Sequence, residues 1–239
     1  MTVRAYIRDK IRRLVGYDQT QSKLDRLLAR TGDLAEATKV AATLSSAEFV
    51  EAHMSVAKPL ESQSEVLDYA LSQMSTHDGG LVCEFGVYEG RTINYIATRT
   101  RQAVFGFDSF QGLPETWRAG YDRGKFSLGS NGLPACEPNV SLVVGLFDDT
   151  LPKFLAEHPG DVTFLHVDCD LYSSTRTVLT LLGQRLPRGA VIVFDEYFNY
   201  PGWQSHEHLA FNEYLIQARR QCEYICYNRF HEQVAVKML

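Results

Sequence analysis

After Gly80 the chain repeats one grammar: a short run rich in β-branched and aromatic residues, then a stretch with helical spacing. The runs are LVCEFGV (81–87), AVFGFD (103–108), VSLVVG (140–145), VTFLHVD (162–168) and AVIVFD (190–195). Helical patterns fill 91–101, 149–158, 173–186 and 205–221. Runs apolar on both faces must be covered on both sides, and helices between them make the strands parallel. The tail differs. EYICYN (223–228) and QVAVKML (233–239) are joined only by RFHE, and so short a link permits only antiparallel pairing. The expected fold is α/β: a doubly wound, mainly parallel, seven-stranded, Rossmann-like sheet with a C-terminal antiparallel hairpin.

Residues 1–75 read as helical, which divides the chain into a helical extension (1–75) and a sheet domain (76–239). In TVRAYIRDKIRRLVG, Val3, Ile7, Ile11, Leu14 and Val15 recur at helical spacing, opposite Arg4, Arg8, Lys10, Arg12 and Arg13. That basic face could touch a membrane surface peripherally or meet an acidic partner. The plainer reading is a packing or homodimer helix with a solvated face. QSKLDRLLART and LAEATKVAATL look like further helices, and Ser64 reads as the cap of EVLDYALSQM, which runs toward His77-Asp78-Gly79.

Composition narrows the function. A net charge of −5 argues against nucleic acid as a bulk electrostatic partner. No stretch reaches the roughly 20 apolar residues of a membrane span, and the N-terminus lacks a secretory core. Five cysteines without zinc spacing suggest a reduced, cytoplasmic chain without disulfides.

In open parallel sheets, ligands bind beyond the carboxyl ends of the strands. After the first run, Glu84, Gly86, Tyr88 and Gly90 lead into a helix opening with Arg91 and Thr92. The two glycines would let backbone approach a ligand. Their spacing lacks the second glycine that a pyrophosphate requires. The second run ends in Asp108, about 20 residues on, where an acid can accept ribose hydroxyls. A nucleoside without a diphosphate fits, and S-adenosyl-L-methionine is such a ligand. After the third run, Phe147 could stack on adenine and Asp148 accept from its amino group, while Asp149 or Thr150 caps the helix.

Asp168 ends the fourth run and Asp195 the fifth. Adjacent strand ends lie about 4.8 Å apart, so the two carboxylates would repel unless a cation intervened. Oxygen ligands alone favour Mg2+ over zinc, with Glu196 as third ligand. Strand alternation puts Phe164, His166 and Asp168 on one face, and Asp170 is left to cap the next helix.

LVCEFGVYEGRT, VFGFDSFQGLPE, GLFDDTLP, LHVDCDLYSST and GAVIVFDEY occur here in the order found in macrocin O-methyltransferase-like enzymes, which the chain resembles over roughly 65–239. The resemblance implies a class I, magnesium-assisted sugar O-methyltransferase using S-adenosyl-L-methionine. It implies cofactor contacts at Glu84, Gly86, Tyr88, Gly90, Asp108, Ser109 and Asp148, with Arg91 and Thr92 beside them. It also implies metal ligation by Asp168, Asp195 and Glu196, although the family usually has two aspartates where Asp195-Glu196 stands here. The acceptor would be a sugar or other small molecule. Asp168 is the expected catalytic base, with His206 or His208 as alternatives. Tyr197 and Trp203 could pack on a sugar face. Two competing readings stand beside this one: a nucleotide-sugar glycosyltransferase using the DCD acids, and a non-catalytic cofactor-binding scaffold.

Overall fold

The structure, a computed structural model, describes residues 33–74 and 80–239. The amphipathic pattern at 2–16, QSKLDRLLART and His77-Asp78-Gly79 lie outside the described residues. Helix α1 (Leu34–His53) is followed by strand β1 (Lys58–Leu60) and helix α2 (Gln63–Gln73). Then β2 (Leu81–Phe85), α3 (Arg91–Ala97), β3 (Val104–Asp108), β4 (Val140–Val144) and α4 (Phe147–Glu157) alternate. They continue as β5 (Val162–Val167), α5 (Tyr172–Leu182), β6 (Val191–Phe194), α6 (Glu207–Ala218), β7 (Cys222–Asn228) and β8 (Val234–Met238).

One sheet results, in the order β1-β7-β8-β6-β5-β2-β3-β4. The strands from β6 through β4 are parallel, and β8 runs antiparallel to both β6 and β7. The period-two pattern sorts side chains onto two apolar layers. Cys83, Phe85, Leu165, Val167, Ile192 and Phe194 pack with residues of α4, α5 and α6. Val82, Phe164, Val191 and Val193 pack with residues of α2 and α3.

Three local expectations are corrected. The sheet has eight strands rather than seven, because Lys58–Leu60, inside the stretch read as helical, pairs in parallel with Cys226–Asn228. Three residues carry no readable period; the open edge of β7 specifies this strand. The cap of α2 is Ser62, not Ser64, since the Ser62 hydroxyl accepts from Glu65 N–H at the Ser-x-x-Glu spacing. Helix α4 begins at Phe147 with Leu146 as its cap residue, so Asp149 lies in its first turn and neither it nor Thr150 caps it.

Residues 110–139 hold one short 3-10 turn, Gly129–Asn131, and otherwise run irregularly. The connection is nevertheless anchored. Leu113 and Trp117 are buried, and Asn94 bonds both Ala135 and Glu137 backbone.

Candidate active site

The carboxyl ends of β2 to β6 open into a cleft of about 610 Å³. Each strand contributes the residues just past its end, because parallel strands all stop at the same rim. Gly86, Val87 and Tyr88 follow β2, and Asp108 and Ser109 lie at the end of β3. Phe147 and Asp148 open α4; Asp168 follows β5; Asp195 and Glu196 follow β6. Arg91 and Thr92 also line this wall. Gly90 and Glu84, the other expected cofactor residues, do not line it.

The glycine turn is built by Asp108. One carboxylate oxygen accepts from Val87 N–H (2.8 Å) and Tyr88 N–H (2.9 Å); the other accepts from Phe110 N–H (2.7 Å). Tyr88 itself takes φ 46, which a side chain adopts only when its surroundings hold it there. Gly86 has a reason of its own to be glycine. Its φ is 93, and a Cβ there would lie 1.7 Å from the Asp168 carbonyl oxygen. That approach is to the chain's own β5 terminus, while Gly86 also lines the cleft. Gly90, at φ 78, forms the cap of α3 against Pro134.

Glu84 is fully buried within β2, and its Oε1 pairs with His166 Nδ1 at 2.8 Å. His166 Nε2 faces Asp195 Oδ1 at 3.8 Å, an ion-pair distance too long for a hydrogen bond. Burial would lower the His166 pKa, but Asp195 and Glu84 on its two sides drive it well above the ordinary histidine value.

Asp168, Asp195 and Glu196 converge: each offers an oxygen within 4.8 Å of the other two. Burial, then repulsion by Asp195, pushes the Asp168 pKa well up, and the same two causes raise Glu196. Asp195 goes the other way. Burial would raise it, but His166 and hydrogen bonds, including Gln63 Nε2 to Oδ1 at 2.6 Å, hold it low. Among the described residues Glu196 Oε2 is buried without a partner. An all-oxygen cluster in which burial and mutual repulsion keep two of three acids from ionising, with one orphaned oxygen, is the donor set a hard divalent cation satisfies.

Two acids join the cluster unexpectedly. Asp170 does not cap α5, which has Leu171 at its cap position and no side-chain cap. Its backbone is left-handed (φ 63) and its carboxyl buried. Burial lifts it to about 7, Arg118 opposing and Asp195 assisting. Glu207, at the start of α6, is fully buried and accepts Glu196 N–H through Oε2. Gln63 was also missed, since a glutamine in a helix start carries no chemical signature.

The four residues suggested for the acceptor lie elsewhere. Tyr197 is buried with its hydroxyl on Tyr224 (2.7 Å), and Trp203 Nε1 donates to Ser45 Oγ (3.0 Å). Both surround Phe49 of α1 together with His208. This aromatic cluster attaches α1 to the sheet, which is why the segment carries so many rings. Trp203 and His208 border a separate shallow groove on that side. His206 lies edge-on to Trp117 and tilted against Tyr200, outside the cleft lining, and burial lowers its pKa, with Arg118 adding to the effect.

Residues 83–197 match a family described as a methyltransferase domain. The chain has no match among curated proteins. Among solved structures it is similar to CalS11, a calicheamicin methyltransferase, with TM-score 0.60 and 23% identity over 73% of this chain and 77% of that one. The O-methyltransferase NovP matches with TM-score 0.52 and 24% identity over 73% and 78%. An apo structure of CalS11, described as a TDP-rhamnose 3'-O-methyltransferase, matches with TM-score 0.52 and 22% identity over 73% and 78%. The fold is thus the α/β Rossmann-like methyltransferase fold, its mostly parallel sheet ending in antiparallel C-terminal strands. All five cysteines are unpaired, and among the described residues no helix is long and apolar enough to cross a membrane.

Proposed function

We propose that the protein is an S-adenosyl-L-methionine-dependent O-methyltransferase, assisted by a divalent metal, that acts on a hydroxyl of a sugar or glycosylated small molecule. The observation that carries this reading is the convergence of Asp168, Asp195 and Glu196 at the rim of the cleft that the glycine turn, Asp108 and Phe147 also line. The methyltransferase-domain match covers the turn and all three acids. The motif resemblance to macrocin O-methyltransferase-like enzymes and the sugar named for CalS11 support the acceptor class.

The S-adenosyl-L-methionine sulfonium supplies an electrophilic methyl group. Asp168, Asp195 and Glu196 would hold a magnesium ion, which would supply Lewis acidity to lower the pKa of an acceptor hydroxyl. The chain's own residues do the rest. Asp108 fixes the Val87-Tyr88 backbone beside the ribose site and itself lines the cleft. Phe147, braced edge-on against Phe85 at 5.1 Å, presents a ring for the adenine, and Asp148 an acceptor for its amino group. Tyr88 and Phe126, 5.4 Å apart, form part of the cleft wall. Asp168 takes the hydroxyl proton as the O–C bond forms and the C–S bond breaks. Positioning donor and acceptor in line contributes the larger share of the rate.

The test is methyl transfer to a vicinal-diol glycoside with and without excess chelator. Loss of turnover on chelation, restored by Mg2+, supports the reading. Full turnover in chelator, or normal turnover by Asp168→Ala, sinks the metal and base assignments.

A further inference from the structure

Gln63 lies outside the residues matched to the methyltransferase domain, yet its side chain lines the cleft. It is the first residue of α2, directly after the Ser62 cap. Strand β1, just before it, is bound along Cys226–Asn228, and Arg229 N–H donates to Leu60 O at 2.9 Å. The residues on either side of Gln63 are therefore fixed by the sheet edge and by a helix cap. From there Nε2 reaches Asp195 Oδ1 at 2.6 Å. The same oxygen faces His166 Nε2 on its other side, and Glu84 holds that ring through Nδ1. Asp195 Oδ1 thus accepts from Gln63 and has the His166 ring nitrogen 3.8 Å away.

We propose that Gln63 is a positioning residue for Asp195, so that the segment carrying β1 and the start of α2 is part of the metal centre. Its amide, with Gln233 as a further hydrogen-bond partner of Asp195, fixes the rotation of the Asp195 carboxylate toward Asp168 and Glu196. A neutral amide suits this role. It donates a hydrogen bond without the positive charge that would compete with a cation, and without the negative charge that would crowd the acids. This rests on the reading of Asp168, Asp195 and Glu196 as a cation site. Partners of this kind that orient a ligating group are worth 10- to 100-fold in metal affinity.

The experiment is Mn2+ titration of the full chain, followed by the electron paramagnetic resonance of free Mn2+, with calorimetry of S-adenosylhomocysteine binding on the same samples. Gln63→Leu, which keeps the bulk and removes the donor, is expected to weaken Mn2+ binding about 10-fold or more. Its S-adenosylhomocysteine affinity should stay within twofold of wild type. Gln63→Ala at this half-buried position serves the same comparison if the leucine variant does not fold. Mn2+ affinity within twofold of wild type in the variant overturns the proposal. So does a parallel loss of both affinities, which would mean general loosening. If wild type binds no Mn2+, the cation site itself fails and the proposal with it.

Discussion

Replacing Gly86 by alanine tests whether the β2 turn and the Asp168 backbone share one packed corner. Two costs add. A left-handed φ of 93 costs an L-residue about 1–2 kcal/mol. The new methyl would also sit 1.7 Å from the Asp168 carbonyl oxygen, far inside contact distance. That oxygen is backbone, and Asp168 N–H is tied to Phe85 O at 2.8 Å, so the neighbour cannot swing aside as a side chain would. Forced overpacking of this sort costs about 1–3 kcal/mol more. Gly189 supplies the control: its φ is 89, but nothing lies within 4 Å of its missing Cβ, so alanine there should cost only the backbone share. Urea unfolding of the metal-free protein gives both values from the midpoints at a common slope. Gly86→Ala should exceed Gly189→Ala by about 1–3 kcal/mol and should also lose Mn2+ affinity, because relief of the overlap moves Asp168. Equal destabilisation of the two variants, with Mn2+ binding intact, would refute the close-packed corner.

Asp195→Asn should lower kcat by at least about 100-fold while S-adenosylhomocysteine binding stays within threefold, as calorimetry and single-turnover assays can show. Phe147→Ala should weaken S-adenosylhomocysteine binding by roughly 10-fold through loss of a stacking face, with Mn2+ affinity unchanged. His208 makes the pH prediction. Burial, and then His53, depress its pKa to about 4, so the folded state disfavours its protonation. The stability it contributes is full above about 6.5 and is lost as pH falls toward 4. Discounted for its partial exposure, the loss is on the order of 1–2 kcal/mol. His208→Asn should flatten the melting-temperature decline across that window, and an unchanged slope counts against the assignment.

The acid pair shows how far linear patterns reach. Asp168 and Asp195 each end an apolar run, and parallel strands that start together end together, so their meeting follows from period and length alone. Phe164 and Leu165 fall on opposite layers as alternation requires. The hairpin follows from a four-residue link too short for any crossover. Local residue type was a weaker guide to role. Asp170 looks like a helix cap by position, but a left-handed backbone turns it into the acid cluster. Gly86 reads as a place where backbone admits a ligand, and its missing Cβ also yields space to the Asp168 carbonyl. Tyr197, Trp203 and His208 look like sugar-binding groups, but they enclose Phe49, a partner roughly 150 residues away in sequence.

Sequence alone therefore determined the layered α/β order, the rim on which ligands gather and the pair of strand-end acids. Each of these depends on periodicity and segment length, which neighbouring residues encode. Only the tertiary structure decided the eighth strand, the burial of Glu207 and the reach of Gln63 to Asp195. Each of those depends on which distant surface closes over a residue. A three-residue strand, a glutamate and a glutamine have no local preference strong enough to announce it.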